Sequence, residues 1–419
     1  MSFTDDILRG NQSSIGFDAK TFFITIVLIT IGLVSIYSAT YEPGGSHIFY
    51  SQLTFAFAGI VLMLVIAYLP EGVLQFFAYP LYGLGLILLS AVIFFGTIRN
   101  GARGWFVFGP LSFQPAEIVK FFILISASRI VGLEARSLKN WRDMGLLLLI
   151  FLIPIGLILL EPDFGSASVY MVMMIGIGLW AGADLFLLFT LVAPLAVAIC
   201  ALIGNNEMYI CLGVILVIMV AFRRSIWVTV TGFLISISSG FSTGYIYQNI
   251  LLLHQQNRIK TFLNPNLDPK GAGYHVLQSL LAVGSGGLTG KGFLKGTQTQ
   301  LRYIPEQWTD FIFCVPTEEF GLIGGVAVLL LLGTLIYFAI NTARNLRNRF
   351  ASTICVGIAT IFLYHTCINI GMAIGLVPVM GIPLPFLSKG GSSLMLNMSM
   401  VGLLMNFYRL RTDVRKIDL

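Results

Sequence analysis

What most constrains this chain is a succession of unbroken apolar runs as long as a bilayer is thick. Residues 21–40 and 145–160, for example, contain no charged side chain. Roughly 20 such residues cross the hydrocarbon core as a helix, with every backbone hydrogen bond made inside the segment. A membrane barrel would instead show weaker alternation over segments of roughly ten residues, so a barrel is excluded. Composition removes the ordinary soluble globule as well: 57% of residues are hydrophobic and 11% charged, against roughly 25% charged in soluble domains.

Breaks between the runs predict helices near 21–40, 50–69, 76–96, 116–133, 144–160, 167–182, 185–204, 208–222, 226–247, 310–340, 350–375 and 392–408. The expected fold is therefore all-α, a polytopic integral membrane protein of about 12 transmembrane helices. It reads as one membrane domain over residues 1–419, without tandem repeat or soluble domain. Its first nineteen residues lack the apolar stretch and cleavage site of a removable signal.

Lysine and arginine asymmetry orients the chain. Arg9, Lys20, Arg136, Lys139, Arg142, Arg223, Arg224, Arg344, Arg347, Arg349, Arg409, Arg411, Arg415 and Lys416 fall on one side, whereas the turns 41–49, 161–166 and 204–207 have neither residue. Both termini are expected in the cytoplasm, with Arg99, Arg103 and Lys389 as outer exceptions. The long segment 249–309 is then extracytoplasmic, although it carries Arg258, Lys260, Lys270, Lys291, Lys295 and Arg302. Long loops translocate regardless of charge, and such a loop is where a membrane-embedded chain would place chemistry. Cys200, Cys211, Cys314, Cys355 and Cys367 form no CxxC pair and read as buried packing residues. No metal-ligand set is expected.

Ionisable groups inside apolar runs are costly and mark functional candidates. Those here are Glu117, Lys120, Arg129, Asp310, Glu318 and Glu319. Glu117 and Lys120, at i and i+3 on a helix opened by Gln114-Pro115, share a face and can pair. They either fix helix packing or line a polar cleft for a charged substrate. Arg129 reads as an interfacial snorkelling residue. Asp310, at the start of a predicted helix, suits an N-cap or first-turn position, but a carboxylate under a cationic loop can equally act as a general base. Position alone leaves both readings open. Of Glu318 and Glu319, at most one shares the Asp310 side of the helix.

The glycine-rich stretch 284–292 fails the phosphate-loop pattern, since Ser285 and Gly292 stand where Gly and Ser or Thr are required. Its backbone amides could still approach a pyrophosphate or sugar. His365 and Asn369, at i and i+4, read as interhelical hydrogen bonders.

Four ordered motifs resemble the SEDS family. The first is Gly292-Phe293-Leu294-Lys295-Gly296-Thr297-Gln298-Thr299-Gln300-Leu301, with Ile304-Pro305-Glu306 and Thr309-Asp310-Phe311-Ile312-Phe313. The others are Phe113-Gln114-Pro115-Ala116-Glu117-Ile118-Val119-Lys120, Glu161-Pro162-Asp163-Phe164-Gly165-Ser166, and the run from Gly381 through Ile382-Pro383-Leu384-Pro385 to Lys389-Gly390-Gly391-Ser392. The wording is similar to the RodA branch rather than the FtsW branch.

The resemblance implies a peptidoglycan glycosyltransferase that polymerises lipid II during cell elongation and maintenance of cell shape. It implies Asp310 as catalytic base and Glu117, Lys120, Arg103, Gln114, Lys291, Arg258 and Glu306 as substrate-binding candidates. It further implies a divalent cation such as Mg or Mn as an optional aid to the leaving pyrophosphate, and a class B penicillin-binding protein and the elongation machinery as partners. The place implied is the bacterial cytoplasmic membrane with the site facing outward. No nucleic acid is expected. The chain departs from the family in an added helix pair around Met208 to Tyr247, where ten spans are usual, in Lys389 where Tyr is common, and in Arg103-Gly104 where adjacent basic residues are frequent. A flippase of the lipid-linked precursor, a division polymerase and a pure scaffold are the competing readings.

Overall fold

The computed structural model describes residues 16–41, 46–99, 102–109, 111–132, 141–264, 272–305 and 307–417. Arg9, Arg136, Lys139, Lys270 and Glu306, named above, lie outside the described residues. Each predicted run holds a helix, its ends shifted by a few residues. Two compact units emerge: residues 1–177 with 274–419, and residues 178–273.

The first unit contains α1 (Ala19–Ala39), α2 (Ser46–Ala67), α3 (Glu71–Phe95), α4 (Pro115–Gly132), α5 (Trp141–Leu160) and α6 (Phe164–Trp180, whose last turn passes into the second unit). The second unit contains α7 (Leu185–Ile203), α8 (Asn205–Ala221), α9 (Ile226–Asn249) and α10 (Leu253–Leu263). The chain completes the first unit with α11 (Ala272–Ser285), the single turn α12 (Thr297–Gln300), α13 (Cys314–Arg344), α14 (Arg349–Ala373) and α15 (Gly391–Ile417). Among the described residues, eight helices are long and apolar enough to cross a membrane, and α6 and α8 are shorter apolar helices. The chain is a multi-pass membrane protein.

The fold is helical and polytopic as expected, with one addition: the segment between α3 and α4 folds into a short antiparallel sheet of β1 (Thr97–Arg99), β2 (Ala102–Phe108) and β3 (Leu111–Phe113) in that order. Its strands alternate over too few residues to stand out beside 20-residue apolar runs. The segment 249–309 contains α10, α11 and α12. One expectation is corrected. Of the cysteines, Cys314 and Cys355 are buried, but Cys367 is exposed on α14, a position that costs nothing where the surroundings are hydrocarbon.

At the centre of the first unit α14 packs against α4 and α13, while α2 runs along α15 and α3 along α4. In α14 72% of the apolar window is buried, against 22% in α2 and α3. A helix apolar on every face belongs in a core, and α14 is thereby able to present polar groups to several neighbours. Within this unit Asn406 donates to the Ile66 and Leu69 carbonyls, Arg409 to that of Ala67, and Asn348 to the Glu71 carboxylate. Asn406 and Arg409 thereby add side-chain donors to carbonyls at and just past the end of α2.

The second unit has its own core of Phe186, Ala193, Val197, Met208, Leu212, Ile215 and Met219. On α9 the small residues Gly232, Ser236, Gly240 and Thr243 recur every three or four positions and are buried. A Cβ at Gly232 would lie 2.7 Å from Thr190, and one at Gly240 2.8 Å from Val197. Close backbone approach of this kind is how helices associate where lipid supplies no hydrophobic drive.

Candidate active site

Proline at the first position of α4 presets its helical φ, and the first turn then carries Glu117 and Lys120 inward. Both are buried, and Lys120 Nζ stands 2.7 Å from Glu117 Oε2. The pair therefore forms as its spacing predicts. Just before α4, Gln114 donates to the Asp163 carboxylate at 2.5 Å and lies 3.3 Å from Ser166 Oγ. Ser166 donates to Asp163 through its amide and its hydroxyl at 2.9 and 2.8 Å. Glu161, in the turn between α5 and α6, is 1% exposed, and among the described residues neither carboxylate oxygen has a hydrogen-bond partner. Burial, and next the charge of Asp163, push its carboxyl up to about 8. Gly104 on β2 lies directly over this carboxyl; a Cβ there would come 3.1 Å from Glu161 Oε2 and 3.7 Å from Gln114 Nε2. Arg103 beside it is exposed.

Asp310 does not open a helix. It belongs to a run of turns, and α13 begins four residues later at Cys314. The first-turn reading of its carboxylate is thereby corrected. Residues 311–313 are apolar enough to extend a helix on paper, but the backbone around Asp310 is held by other segments. Asn369 donates to the Asp310 and Ile382 carbonyls, each at 2.9 Å. The Ser388 hydroxyl donates to the Thr309 carbonyl at 2.7 Å, and the Lys389 amide donates to that of Trp308 at 2.7 Å. Gln307 donates to the Ala39 carbonyl, while Gln52 accepts from the Gly390 amide and donates to the Ser388 carbonyl. Gly381, with φ +73°, leaves bare backbone against the carboxylate: a Cβ there would be 3.9 Å from Asp310 Oδ2. The carboxylate is half-buried, on a frame fixed from α1, α2, α14 and the 381–390 segment.

The glycine stretch serves the helix beside it. Gly321 interrupts α13 with φ +65° and ψ −157°, a conformation nearly exclusive to glycine. The break frees backbone groups, and the loop satisfies them: Lys291 and Gly292 amides donate to the Glu318 and Glu319 carbonyls, and Leu322 and Ile323 amides donate to those of Gly287 and Leu288. Irregular backbone at membrane depth persists where protein supplies such partners. Side chains complete the clasp. Lys291 pairs with Glu318 at 2.8 Å, and Glu318 also accepts from the Gln298 and Thr299 amides. Glu319 accepts from Ser38 and from the Leu294 amide. Lys291 is thus committed to Glu318, which holds the loop together.

The structure brings Asp310, Glu117, Lys120 and Gln114 into one unit, with Arg103 at its edge. Arg258 lies on α10 of the second unit, and Glu306 is outside the described residues. Sequence reasoning passed over Gln52, Gln307, Glu161 and Asp163 as individual site residues. A signal existed for Gln52, a lone amide within an apolar span.

Fold and site together define a polytopic membrane protein in which one unit holds both a buttressed acidic turn and a buried carboxylate–ammonium pair. The profile of the FtsW/RodA/SpoVE family, described as cell cycle proteins, matches residues 19–210 and 203–413, and the chain belongs to that family. Its two matching segments overlap over residues 203–210, around the turn between α7 and α8. Peptidoglycan glycosyltransferase MrdB of Escherichia coli K12 is 32% identical over 403 residues, covering 95% of each chain. Peptidoglycan glycosyltransferase RodA of Treponema pallidum is 31% identical over 427 residues, 93% of this chain and 97% of its own. Among solved structures, a chain of a peptidoglycan synthase complex that coordinates polymerization and crosslinking superposes with a TM-score of 0.70 at 26% identity, covering 95% of this chain and 99% of that one. The rod shape determining protein RodA of Thermus thermophilus gives 0.63 at 25%, covering 95% and 98%.

Proposed function

We propose that this protein is a peptidoglycan glycosyltransferase that polymerises lipid II into glycan strands during cell elongation. The observation that carries the reading is the half-buried Asp310 carboxylate, locked by hydrogen bonds to its neighbouring backbone, on the same framework as the buried Lys120 ammonium, in a chain similar along its length to named peptidoglycan glycosyltransferases. In the reaction, Asp310 accepts the proton of the acceptor sugar's 4-hydroxyl as that oxygen forms a bond to the donor's anomeric carbon. The bond from that carbon to the lipid diphosphate breaks, and undecaprenyl diphosphate departs with the electron pair. Lys120 and Arg103 would supply the positive charge that stabilises it.

A divalent cation would assist the same departure. Among the described residues no three His, Cys, Asp or Glu side chains gather closely enough to hold one. Magnesium commonly binds through one or two carboxylates plus substrate phosphates, so it would arrive with the diphosphate and take Asp310 or Asp163 as its protein ligand. The reading places the protein in the bacterial cytoplasmic membrane with Asp310 facing outward. There a class B penicillin-binding protein would crosslink the strands, and this pairing is in keeping with the synthase complex that the chain resembles.

The test is Asp310→Asn beside Asp310→Ala. Both should lower polymer formation by about 100-fold or more while the protein still inserts, because a base needs an ionisable carboxylate. Full activity of Asp310→Asn would return the residue to a structural role.

A further inference from the structure

His365 and Asn369 stand one turn apart on α14, and the chemistry above uses neither. His365 is 1% exposed, with Nε2 3.5 Å from Lys120 Nζ and Nδ1 3.1 Å from the Pro383 carbonyl oxygen. An ammonium only donates and a carbonyl only accepts. The imidazole joining them is therefore neutral, its proton on Nδ1 and its lone pair on Nε2. Lys120 has three N–H bonds. Glu117 stands against the ammonium at 2.7 Å as an ion pair, its Oε2 making no hydrogen bond among the described residues, and His365 is the one described hydrogen-bond partner of Lys120.

Resting on the polymerase reading, we propose that His365 is a positioning residue for Lys120. It holds the ammonium by a bond that brings no counter-charge, and so leaves an N–H for an oxygen of the lipid diphosphate. Glu117 alone could not do this, since a carboxylate both orients and cancels the charge. Asn369 ties this cation to the base. His365 grips the Pro383 carbonyl, while Asn369 grips the adjacent Ile382 carbonyl and that of Asp310. One helix face thereby sets the separation of the two groups that act at opposite ends of the reaction, where misplacement by about 1 Å can cost about 100-fold in rate.

The experiment measures farnesyl diphosphate binding to the full-length protein in detergent, then lipid II polymerisation by the same preparations. His365→Gln retains an acceptor and a donor; His365→Leu retains neither. Diphosphate affinity should fall roughly tenfold in His365→Leu and stay within about threefold of the parent in His365→Gln. Added to Lys120→Met, His365→Leu should cost little more. In polymerisation the Leu variant should lose kcat rather than raise KM, with Gln rescuing it. Should Leu lower the yield of folded protein, His365→Asn, whose amide falls short of Lys120, takes its place. Equal affinity across the variants overturns the proposal, as does a Leu loss undiminished in the Lys120→Met background, which would mean packing alone. His365-dependent binding in a protein that makes no polymer would retain the positioning role and remove the polymerase reading. Polymer at the parent rate from His365→Leu, with affinity unchanged, would do the reverse.

Discussion

Two carboxylates within one cluster meet different fates because of what surrounds them. Asp163 accepts three hydrogen bonds from Gln114 and Ser166, whereas Glu161 is buried beside it with none among the described residues. Its carboxyl rises from 4.5 to about 8, so across that window the unfolded chain has released a proton that the folded chain retains. Stability from this group is complete below pH 4.5 and is lost as pH rises through about 8. Glu161→Gln removes the charged form. Its melting midpoint should match the parent near pH 5 and exceed it near pH 9, and parallel curves from thermal unfolding would contradict the assignment. The Glu117–Lys120 pair allows a second discrimination. Exchanging the two residues preserves the i, i+3 pairing with a loss of only a few tenths of a kcal/mol, but moves the cation about one turn along α4 and away from His365. The double variant should insert well yet polymerise poorly, and near-parent turnover would refute a direct substrate role for Lys120.

Among the elements, α13 shows why a break can be as necessary as a helix. Gly321 adopts φ +65°, and a Cβ there would come 2.5 Å from the Leu288 carbonyl oxygen. Gly321→Ala should therefore lower stability by roughly 1–3 kcal/mol and loosen the 286–300 loop, measured as a drop in denaturation midpoint together with faster proteolysis after Lys291 or Lys295. An unchanged midpoint would show that the kink is incidental. The spans were legible because an apolar run of bilayer length permits little else. His365 bonds across helices as its place on the helix suggested, whereas Asn369 bonds to the carbonyls of two non-helical segments. The true start of α13 was not, because nothing local distinguishes Phe311-Ile312-Phe313 from a first helical turn; hydrogen bonds from Asn369 and Ser388, distant in sequence, hold the preceding backbone in turns. For the same reason the glycines at 284–292 pointed toward a ligand when their partner was the broken backbone of α13. Lys389 holds the loop through its amide on the Trp308 carbonyl, a bond independent of its side chain.

For the molecule as a whole, sidedness and activity are one question, since Asp310 can meet an exported lipid-linked sugar only from the outer face. Short-loop charge asymmetry predicts that Arg347→Cys is labelled from the cytoplasm and Lys270→Cys from outside; the opposite pattern in intact cells would invert the proposed site. The second unit packs on a core of its own. The most direct measurement is polymerisation of purified lipid II by the isolated protein in detergent, without a transpeptidase. Glycan strands should form, with one undecaprenyl diphosphate released for each disaccharide added, and Asp310→Asn should form none. Absence of polymer from the parent protein, together with passage of lipid II across vesicles containing it, would contradict the polymerase assignment and identify a transporter instead.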